Sequence, residues 1–287
     1  MRAILVPVAD RPECRAALQT AFDLARRLGA DVLGCHFRAA PIEPGDWDLA
    51  DLWTMHPRRA WPVPDEDAAE RDGEAARRLF ESQAAAAGFT VSTEPGSRER
   101  PHACWEAVAG SPPDAMPAVG GSSDLIVVSR APEHGGEKAW IVLTSALLDS
   151  LRPVLVLPQG PSGPIGRRVA VAWNRGRTET LALHAALPIV KAADDVVLLT
   201  AGRAARGRGP TAEQIRHWLA HHGVDARAKQ IDAEDEGAAL VEHARAEGAD
   251  VLVAGAYTRG RFREMVFGGV TEHLIAKTDL PVVLMHA

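Results

Sequence analysis

The sequence predicts an α/β fold made of two doubly wound, open parallel-sheet domains in tandem. Short, continuous apolar runs rich in β-branched residues alternate with helical patterns, which is typical of parallel strands covered on both faces. This order of strands and helices occurs twice along the 287 residues, and a linker rich in Pro, Gly and Ser at 159–164 separates the two copies. We therefore expect one domain at 1–158 and a second at 167–287.

The order of elements is the same in both halves. Each half begins with an apolar strand, a long helix and a second strand, and ends with a strand preceded by Asp, a short helix and a closing strand preceded by Pro. The aspartates are Asp124 and Asp250. The predicted strands lie at 4–8, from 31, at 125–128, 154–157, 169–173, 196–199, 251–254 and 282–285, and the predicted helices at 14–28, 74–87, 178–187, 212–222, 236–247 and 270–277.

Charge and composition exclude several classes of protein. The net charge is -6, whereas a dedicated nucleic-acid surface normally carries a strong basic excess. No run of 18 apolar residues is present, so we expect no membrane span. The three cysteines, Cys14, Cys35 and Cys104, are odd in number and form no CxxC pair. This pattern argues against a disulfide framework and favours a cytoplasmic location.

The first half carries an insertion near 40–73 that the second half lacks. It is rich in Pro and Asp and contains Trp47, Trp53 and Trp61. One interpretation is a surface excursion that packs its tryptophans onto the domain. The other is a lid or a partner-contact segment, because long loops in compact domains are often functional. No cluster of reactive residues accompanies the insertion, which favours the first interpretation.

The segment 255–271 is the candidate functional loop. It begins with Gly255 at the carboxyl end of a predicted parallel strand, where open α/β sheets bind ligands. It ends with Gly268 and Gly269 at the start of a helix, where free N–H groups and the positive helix end favour an anion. Three arginines add positive charge in an otherwise acidic chain, namely Arg259, Arg261 and Arg263. The alternative is a tight turn whose glycines only solve a packing problem.

The duplicated unit, this loop and the closing Leu-Pro-Val-Val-Leu strand resemble the universal stress protein family in its tandem two-domain form. In nucleotide-binding members the loop has the pattern Gly, two residues, Gly, nine residues, Gly, and then Ser or Thr. Gly255 and Gly268 match the first and last glycines. Thr258 replaces the middle glycine, with Gly260 close by, and Gly269 replaces the Ser or Thr. Two of the four positions therefore depart from the family pattern.

The resemblance implies that the C-terminal half binds an adenine nucleotide, ATP or a similar one, with Mg²⁺ as an accompanying ion. Asn174 lies near the place where family members hold the adenosine end. The expected nucleotide-binding residues are Asn174, Gly255, Thr258, Gly260, Gly268, Gly269, Val270 and Thr271. The first half has Asp10 near the corresponding place but no glycine pair, so we expect it to serve as a structural partner.

Family members usually pair through their last strands, which implies that the two domains pack as an intrachain pseudo-dimer. A further homodimer of the tandem chain and an unidentified protein partner are additional expectations. The leading hypothesis is a cytoplasmic stress-response protein that binds an adenine nucleotide without strong catalysis. A nucleotide-independent interaction module with two altered sites is the second hypothesis. Slow ATP hydrolysis is the third, although no general base is identifiable near the loop.

The sequence contains no convincing catalytic set and no convincing metal site. His217 and His221 have the i, i+4 spacing that metal ligands use on a helix. Because no acidic third ligand lies between them, we interpret them as part of a solvated helix face.

Overall fold

We describe the fold from a computed structural model, which covers residues 1–38, 66–130, 136–160, 163–202, 208–256 and 269–286. Most of the 40–73 insertion, with its three tryptophans, lies outside the described residues. So do Thr258, Gly260 and Gly268 and the three arginines of the candidate loop. Predictions about these residues stay predictions.

The N-terminal half forms a parallel sheet with the strand order β3-β4-β2-β1-β5-β6. Its strands are β1 Ala3–Pro7, β2 Asp31–Arg38, β3 Thr90–Val91, β4 His102–Ala109, β5 Leu125–Ser129 and β6 Val154–Leu157. Its helices are α1 Pro12–Leu28, α2 Glu66–Ala87, α3 Pro112–Gly121 and α4 Glu137–Asp149.

The C-terminal half repeats this arrangement with the strand order β9-β8-β7-β10-β11, again parallel. Its strands are β7 Arg168–Ala172, β8 Asp195–Ala201, β9 Ala226–Ile231, β10 Val251–Gly255 and β11 Val282–Met285. Its helices are α5 Arg177–Lys191, α6 Ala212–His221, α7 Glu236–Ala246 and α8 Gly269–Ala276. Strands β7, β8, β9, β10 and β11 occupy the places that β1, β2, β4, β5 and β6 hold in the first half.

Both faces of the sheet are buried, as the continuous apolar runs predict. Along β7 and the residue after it, Val169, Val171 and Trp173 enter one hydrophobic core, whereas Ala170 and Ala172 enter the other. Helices α1, α2, α5 and α6 contribute apolar residues to the first core, and α3, α4, α7 and α8 contribute to the second. A strand with a core on each face gains from an apolar side chain at every position, so its sequence does not alternate.

The closing strands of the two halves lie side by side. Strand β11 pairs antiparallel with β6, with Val283 opposite Leu155, so that eleven strands form one sheet. The predicted fold class, two doubly wound and mostly parallel units in tandem, is confirmed. That this pairing replaces a dimer contact of single-domain relatives, and that the domains divide at 158 and 167, stay predictions.

Two arginines of the first half also reach the second. The guanidinium of Arg27 on α1 donates to the carbonyls of Ile165, Gly166 and Ala192, at 3.0 Å for Gly166 and 2.9 Å for Ala192. The guanidinium of Arg130, just after β5, donates to the carbonyl of Thr278 and, at 3.1 Å, to that of Ala276. The last carbonyls of a helix lack partners within the helix, so Arg130 caps the end of α8.

The repeated aspartates have a structural explanation. Asp250 accepts backbone N–H groups from Gly166 at 2.6 Å, Arg167 at 2.9 Å and Arg168 at 3.1 Å, where the chain enters β7. Asp124 likewise accepts the N–H groups of Arg2 and Ala3 at the start of β1. Each carboxylate therefore joins the beginnings of two neighbouring strands and satisfies N–H groups that lie before the sheet ladder.

Several elements differ from the sequence prediction. Strands β4 and β9 and helix α3 were not predicted, because they lack a long apolar run. β9 is an edge strand whose four central residues are exposed, and α3 begins with two prolines and contains Pro117. Helix α4 at Glu137–Asp149 is the short helix that precedes the closing strand of the first half. Among the described residues, no helix is both long and apolar enough to span a membrane.

Candidate functional site

The sheet reverses its strand order at one place in each half. In the first half, β2, β4 and β3 lie on one side of the neighbouring strands β1 and β5, and β6 lies on the other side. In the second half, β7 and β10 are neighbours in the same way, with β8 and β9 on one side and β11 on the other. At such switch points the connections at the carboxyl ends of the strands diverge and leave a crevice, where doubly wound sheets bind their ligands. The candidate loop 255–271 leaves β10 at the second of these crevices.

The loop after β7 is held firmly at this second crevice. Trp173 is buried, and its indole N–H donates to the carbonyl of Pro210 at 3.0 Å. Arg175 has a φ of 60°, a left-handed conformation that disfavours side chains. Its Nε donates to the carbonyl of Gly209 at 2.9 Å, and the Gly209 N–H donates back to the carbonyl of Arg175 at 2.9 Å. Asn174 is half-buried between these two fixed residues.

Gly255 ends β10 against the first turn of α5. A Cβ at this position would lie 2.5 Å from Thr178 Oγ1 and 2.7 Å from the backbone nitrogen of Glu179. Both distances are far shorter than ordinary contacts between non-bonded atoms. The close approach of strand and helix is therefore sufficient to require glycine here, and a phosphate contact at Gly255 stays a prediction.

The helix at the end of the candidate loop is closely packed. α8 begins at Gly269, Val270 is half-buried and Thr271 is buried. A Cβ at Gly237 on α7 would lie 3.4 Å from the Cα of Val270 and 3.1 Å from the Cβ of His273. Helix α7 thereby fixes the first turns of α8, the helix end at which the sequence predicts an anion.

The structure adds one residue that the sequence reasoning missed. Glu179 in the first turn of α5 is 5% exposed, and the Thr178 hydroxyl donates to its carboxylate at 3.3 Å. It lies beside Gly255, at the crevice between β7 and β10. The positive end of a helix favours a carboxylate in its first turn. An acidic residue at this place could have been noticed from its position after the first strand of the half.

The first half has a cavity of about 280 Å³ at its own switch point. The carboxyl ends of β1, β2 and β5 form its floor, and the first turns of α1 and α4 and one side of α2 form its walls. Asp10 lies in the wall, as do His36, Ser129 and Lys138. The sequence predicted that this half serves only as a structural partner, whereas the cavity gives it room for a ligand.

The cysteine thiols of the first half are unsuited to nucleophilic chemistry. Burial raises the pKa of Cys14 to about 11 and that of Cys35 to about 12. The thiolate is the reactive form, so both side chains stay protonated and inert near neutral pH. For Cys104, burial followed by the charge of Asp31 raises the pKa as well.

The histidine pair on α6 has the geometry of a helix surface. His217 and His221 are exposed, and their ring centroids lie 4.8 Å apart with the rings edge to face. Within the described part of the chain, no three His, Cys, Asp or Glu side chains are grouped closely enough to hold a metal ion.

Comparison with protein families and sequences gives two findings. Residues 182–286 match the model of the Universal stress protein family. The curated stress response protein NhaX of Bacillus subtilis (strain 168) is 37% identical over 51 residues. This match covers 18% of the chain and 31% of NhaX, so the chain matches only about a third of that relative's length.

Solved structures resemble this chain in fold over nearly its whole length. A universal stress protein from Archaeoglobus fulgidus DSM 4304 has a similar fold, with a TM-score of 0.71 and 15% identity over 99% of this chain and 96% of that one. A putative universal stress protein from Pseudomonas aeruginosa UCBPP-PA14 matches with a TM-score of 0.55 and 16% identity over 100% and 93%. At these identities the likeness concerns the fold alone.

Proposed function

We propose that this chain, whose residues 182–286 match the model of the Universal stress protein family, is a stress-response regulatory protein that binds an adenine nucleotide. The ligand is ATP or a similar nucleotide, and its site is the crevice between β7 and β10. The proposal includes a cytoplasmic location and no strong catalysis. It also includes assembly of the tandem chain with itself or with a further protein partner.

One observation carries this proposal, namely the order of elements at the second switch point. Strand β10 ends at Gly255, and the next described helix begins at Gly269. Strand, glycine-containing loop and helix N-terminus are the order that presents free N–H groups to a phosphate. The first turns of α8 are fixed by α7, which supports a preformed site.

The proposal gives each predicted residue a role. The N–H groups of Gly268, Gly269, Val270 and Thr271 donate to phosphate oxygens, with Mg²⁺ on the phosphates. The Asn174 amide contacts the nucleoside from the fixed loop after β7. Thr258 and Gly260 shape the turn between the strand and the phosphates.

Gly269→Asp tests this role of the helix start. An Asp suits the beginning of a helix, so folding should be retained, whereas its carboxylate would occupy the place of the phosphates. We expect wild-type protein to bind ATP in calorimetric titration and the variant to bind at least about tenfold more weakly, since like charges in contact are costly. Gly163→Asp is the matched control, because Gly163 is exposed and a Cβ there meets nothing within 4 Å.

Two further measurements decide the outcome. Nucleotide released by heat from gently purified protein reports binding in the cell, and titration with and without Mg²⁺ reports the role of the ion. If the protein retains no nucleotide and shows no ATP binding in the titration, the proposal fails.

A nucleotide-independent interaction module is the second candidate. One observation favours it: packing against α5 alone accounts for Gly255. The double substitution Thr258→Gly and Gly269→Ser, which restores the family pattern, distinguishes the two candidates. A large gain of ATP affinity over a negligible wild-type value would identify a degenerate site. Turnover of ATP that survives purification to homogeneity and is lost in a Gly268 variant would instead indicate hydrolysis.

A further inference from the structure

A side chain of the first half holds the end of the helix on which the proposed phosphate site lies. The guanidinium of Arg130 donates to the carbonyl of Ala276, the last residue of α8, and to that of Thr278. The same helix begins at Gly269, where the proposed function places the phosphates. Because α8 has eight residues, it is only about 12 Å long. The contact with Arg130 and the proposed site therefore lie at the two ends of one short helix.

A helix of this length depends on the contacts at both of its ends. Eight residues do not form a stable helix in water by themselves, because initiation costs more than so few hydrogen bonds return. Helix α7 packs against the beginning of α8, where a Cβ on Gly237 would lie 3.4 Å from the Cα of Val270. Arg130 supplies the contact from the other half at the end. Loss of this contact should favour frayed conformations, in which the first N–H groups of α8 no longer point to one place.

The corresponding helix of the first half is capped differently. The Ser150 hydroxyl donates at 2.5 Å to the carbonyl of Ala146, so α4 is capped from within its own half. Thr278, which like Ser150 stands three residues before the proline of a closing strand, forms no such bond with α8 among the described residues. After β10, the buried Ala256 takes the place that Arg130 has after β5. Capping by an arginine therefore runs from the first half to the second.

The burial of Arg130 shows that these two bonds determine its position. Its Nε is buried and has no hydrogen-bond partner among the described residues. A buried N–H without an acceptor is destabilising. The bonds to the carbonyls of Ala276 and Thr278 are thus the polar contacts that hold the side chain in place.

Charge links the two ends of α8 as well. A cation at the C-terminus of a helix and an anion at its N-terminus both stabilise the helix, because they complement its dipole. Arg130 and a bound phosphate would therefore favour the same ordered state of α8. Two groups that favour one state of a shared element strengthen each other, and the effect is reciprocal.

We propose, on the basis of the nucleotide site proposed above, that Arg130 is a positioning residue of that site. By capping α8 from the first half, it holds the N–H groups of Gly269, Val270 and Thr271 in the arrangement that binds phosphate. The first half thus contributes to nucleotide affinity without contacting the ligand, and the ligand in turn strengthens the contact between the halves.

Calorimetric titration of the full chain with ATP, at a temperature at which each variant is folded, tests this role. Arg130→Ala should bind ATP at least about fivefold more weakly than wild type, which is the lower end of the usual coupling between two sites. Arg245→Ala is the matched control, because it removes an exposed ion pair with Asp279, just after α8, from within the second half. It should bind ATP like wild type. An Arg130→Ala variant that binds ATP as tightly as wild type would overturn the proposal.

Hydrogen exchange measured by NMR without nucleotide separates this proposal from the proposed function. In an α-helix the amides of His273 and Leu274 donate to the carbonyls of Gly269 and Val270, so their exchange reports the beginning of α8. We expect exchange at both amides to be about fivefold faster in Arg130→Ala and unchanged in Arg245→Ala. Faster exchange limited to Lys277, after the end of the helix, would overturn the proposal. If wild type binds no ATP but exchange at the two amides is faster in Arg130→Ala, the proposed function fails and the positioning of α8 by Arg130 is supported.

Arg130→Gln keeps the test valid if the Ala variant does not fold. Its amide can donate to one carbonyl but lacks the charge and the second donor group. We expect a smaller loss of ATP affinity than in Arg130→Ala and faster exchange at His273 and Leu274. If both the affinity and the exchange of this variant equal those of wild type, the proposal is wrong.

Discussion

The two switch points have the same strand order and differ in the residue that ends β5 in the first half and β10 in the second. Ser129 ends β5 and Gly255 ends β10, at the same place in the two sheets. The Ser129 hydroxyl donates at 2.8 Å to the carbonyl of Glu13 in the first turn of α1. At Gly255, helix α5 lies so close that a Cβ would be less than 3.0 Å from atoms of Thr178 and Glu179. The two halves therefore share their strand order but differ in the distance between the end of this strand and the helix packed against it.

The loops after the first strands differ in charge as well. Asp10 follows the end of β1 by three residues, whereas Asn174 follows the end of β7 by two. Counted from the strand ends, Arg175 is therefore the residue at the place of Asp10, and a cation replaces an anion. Tandem copies of one fold therefore keep the same strand order while the charge of corresponding loop residues changes.

Exchanging the residues that end β5 and β10 should give the largest difference in stability between the two halves. Gly255→Ser places a Cβ against backbone atoms of α5, so we expect a loss of about 3 kcal/mol in the free energy of unfolding. Ser129→Gly removes one hydrogen bond, and we expect a loss of only about 1 kcal/mol. Urea denaturation measures both. Equal losses in the two variants would show that the strand–helix distances do not differ as described.

The contact of Arg130 with α8 should give the next largest effect. Its place in the second half is taken by Ala256, which is buried, so the contact has no counterpart. Burial lowers the pKa of Arg130, and the guanidinium caps two carbonyls of the other half. Arg130→Ala should reduce the free energy of unfolding by about 2 kcal/mol, because it leaves these carbonyls without their donors.

Chemical denaturation of Arg130→Ala should also reveal less cooperative unfolding of the two halves. Arg100→Ala, at an exposed arginine of the first half, is the control and should have little effect. An unchanged midpoint for Arg130→Ala would contradict a stabilising contact between the halves.

The smallest effect should come from the exposed edge of the second half. Hydrogen bonds from Lys229 and then Arg227 lower the pKa of Glu247 from 4.5 to about 2. Because the folded-state pKa is depressed, the stabilisation is present above pH 4.5 and is lost as the pH falls towards 2. Solvent screens such pairs strongly, so we expect a contribution of well under about 1 kcal/mol.

Glu247→Gln should therefore weaken the loss of stability between pH 4.5 and 2, measured by thermal unfolding at each pH. Glu81→Gln, which breaks an i, i+4 pair with Arg77 on α2 of the first half, is the matched comparison. A larger acid sensitivity in Glu247→Gln than in wild type would contradict this assignment.

The sequence allowed most of the fold to be predicted and less of the candidate sites. Strands such as β7 and β10 were predictable because a strand covered on both faces has an uninterrupted apolar run. Edge strand β9 was not, because its exposed Arg227 and Lys229 pair with acids on its surface and leave no apolar pattern. Local patterns report burial, and an edge strand buries little.

The candidate sites depend on distances between segments far apart in the chain. The glycine loop and Asn174 were identified from their place after strands, which is a local property. The place of Glu179 beside Gly255 and the contact of His36 Nδ1 with the Val8 carbonyl exist only in the folded chain.

By itself, the sequence determined the duplication, the α/β class and the position of the glycine loop, because repeats and apolar runs are local in the chain. The tertiary structure decided where the cavity of the first half lies and why Gly255 is glycine. Both answers depend on how closely a helix approaches the end of a strand, and this distance is set by the packing of side chains from the whole domain.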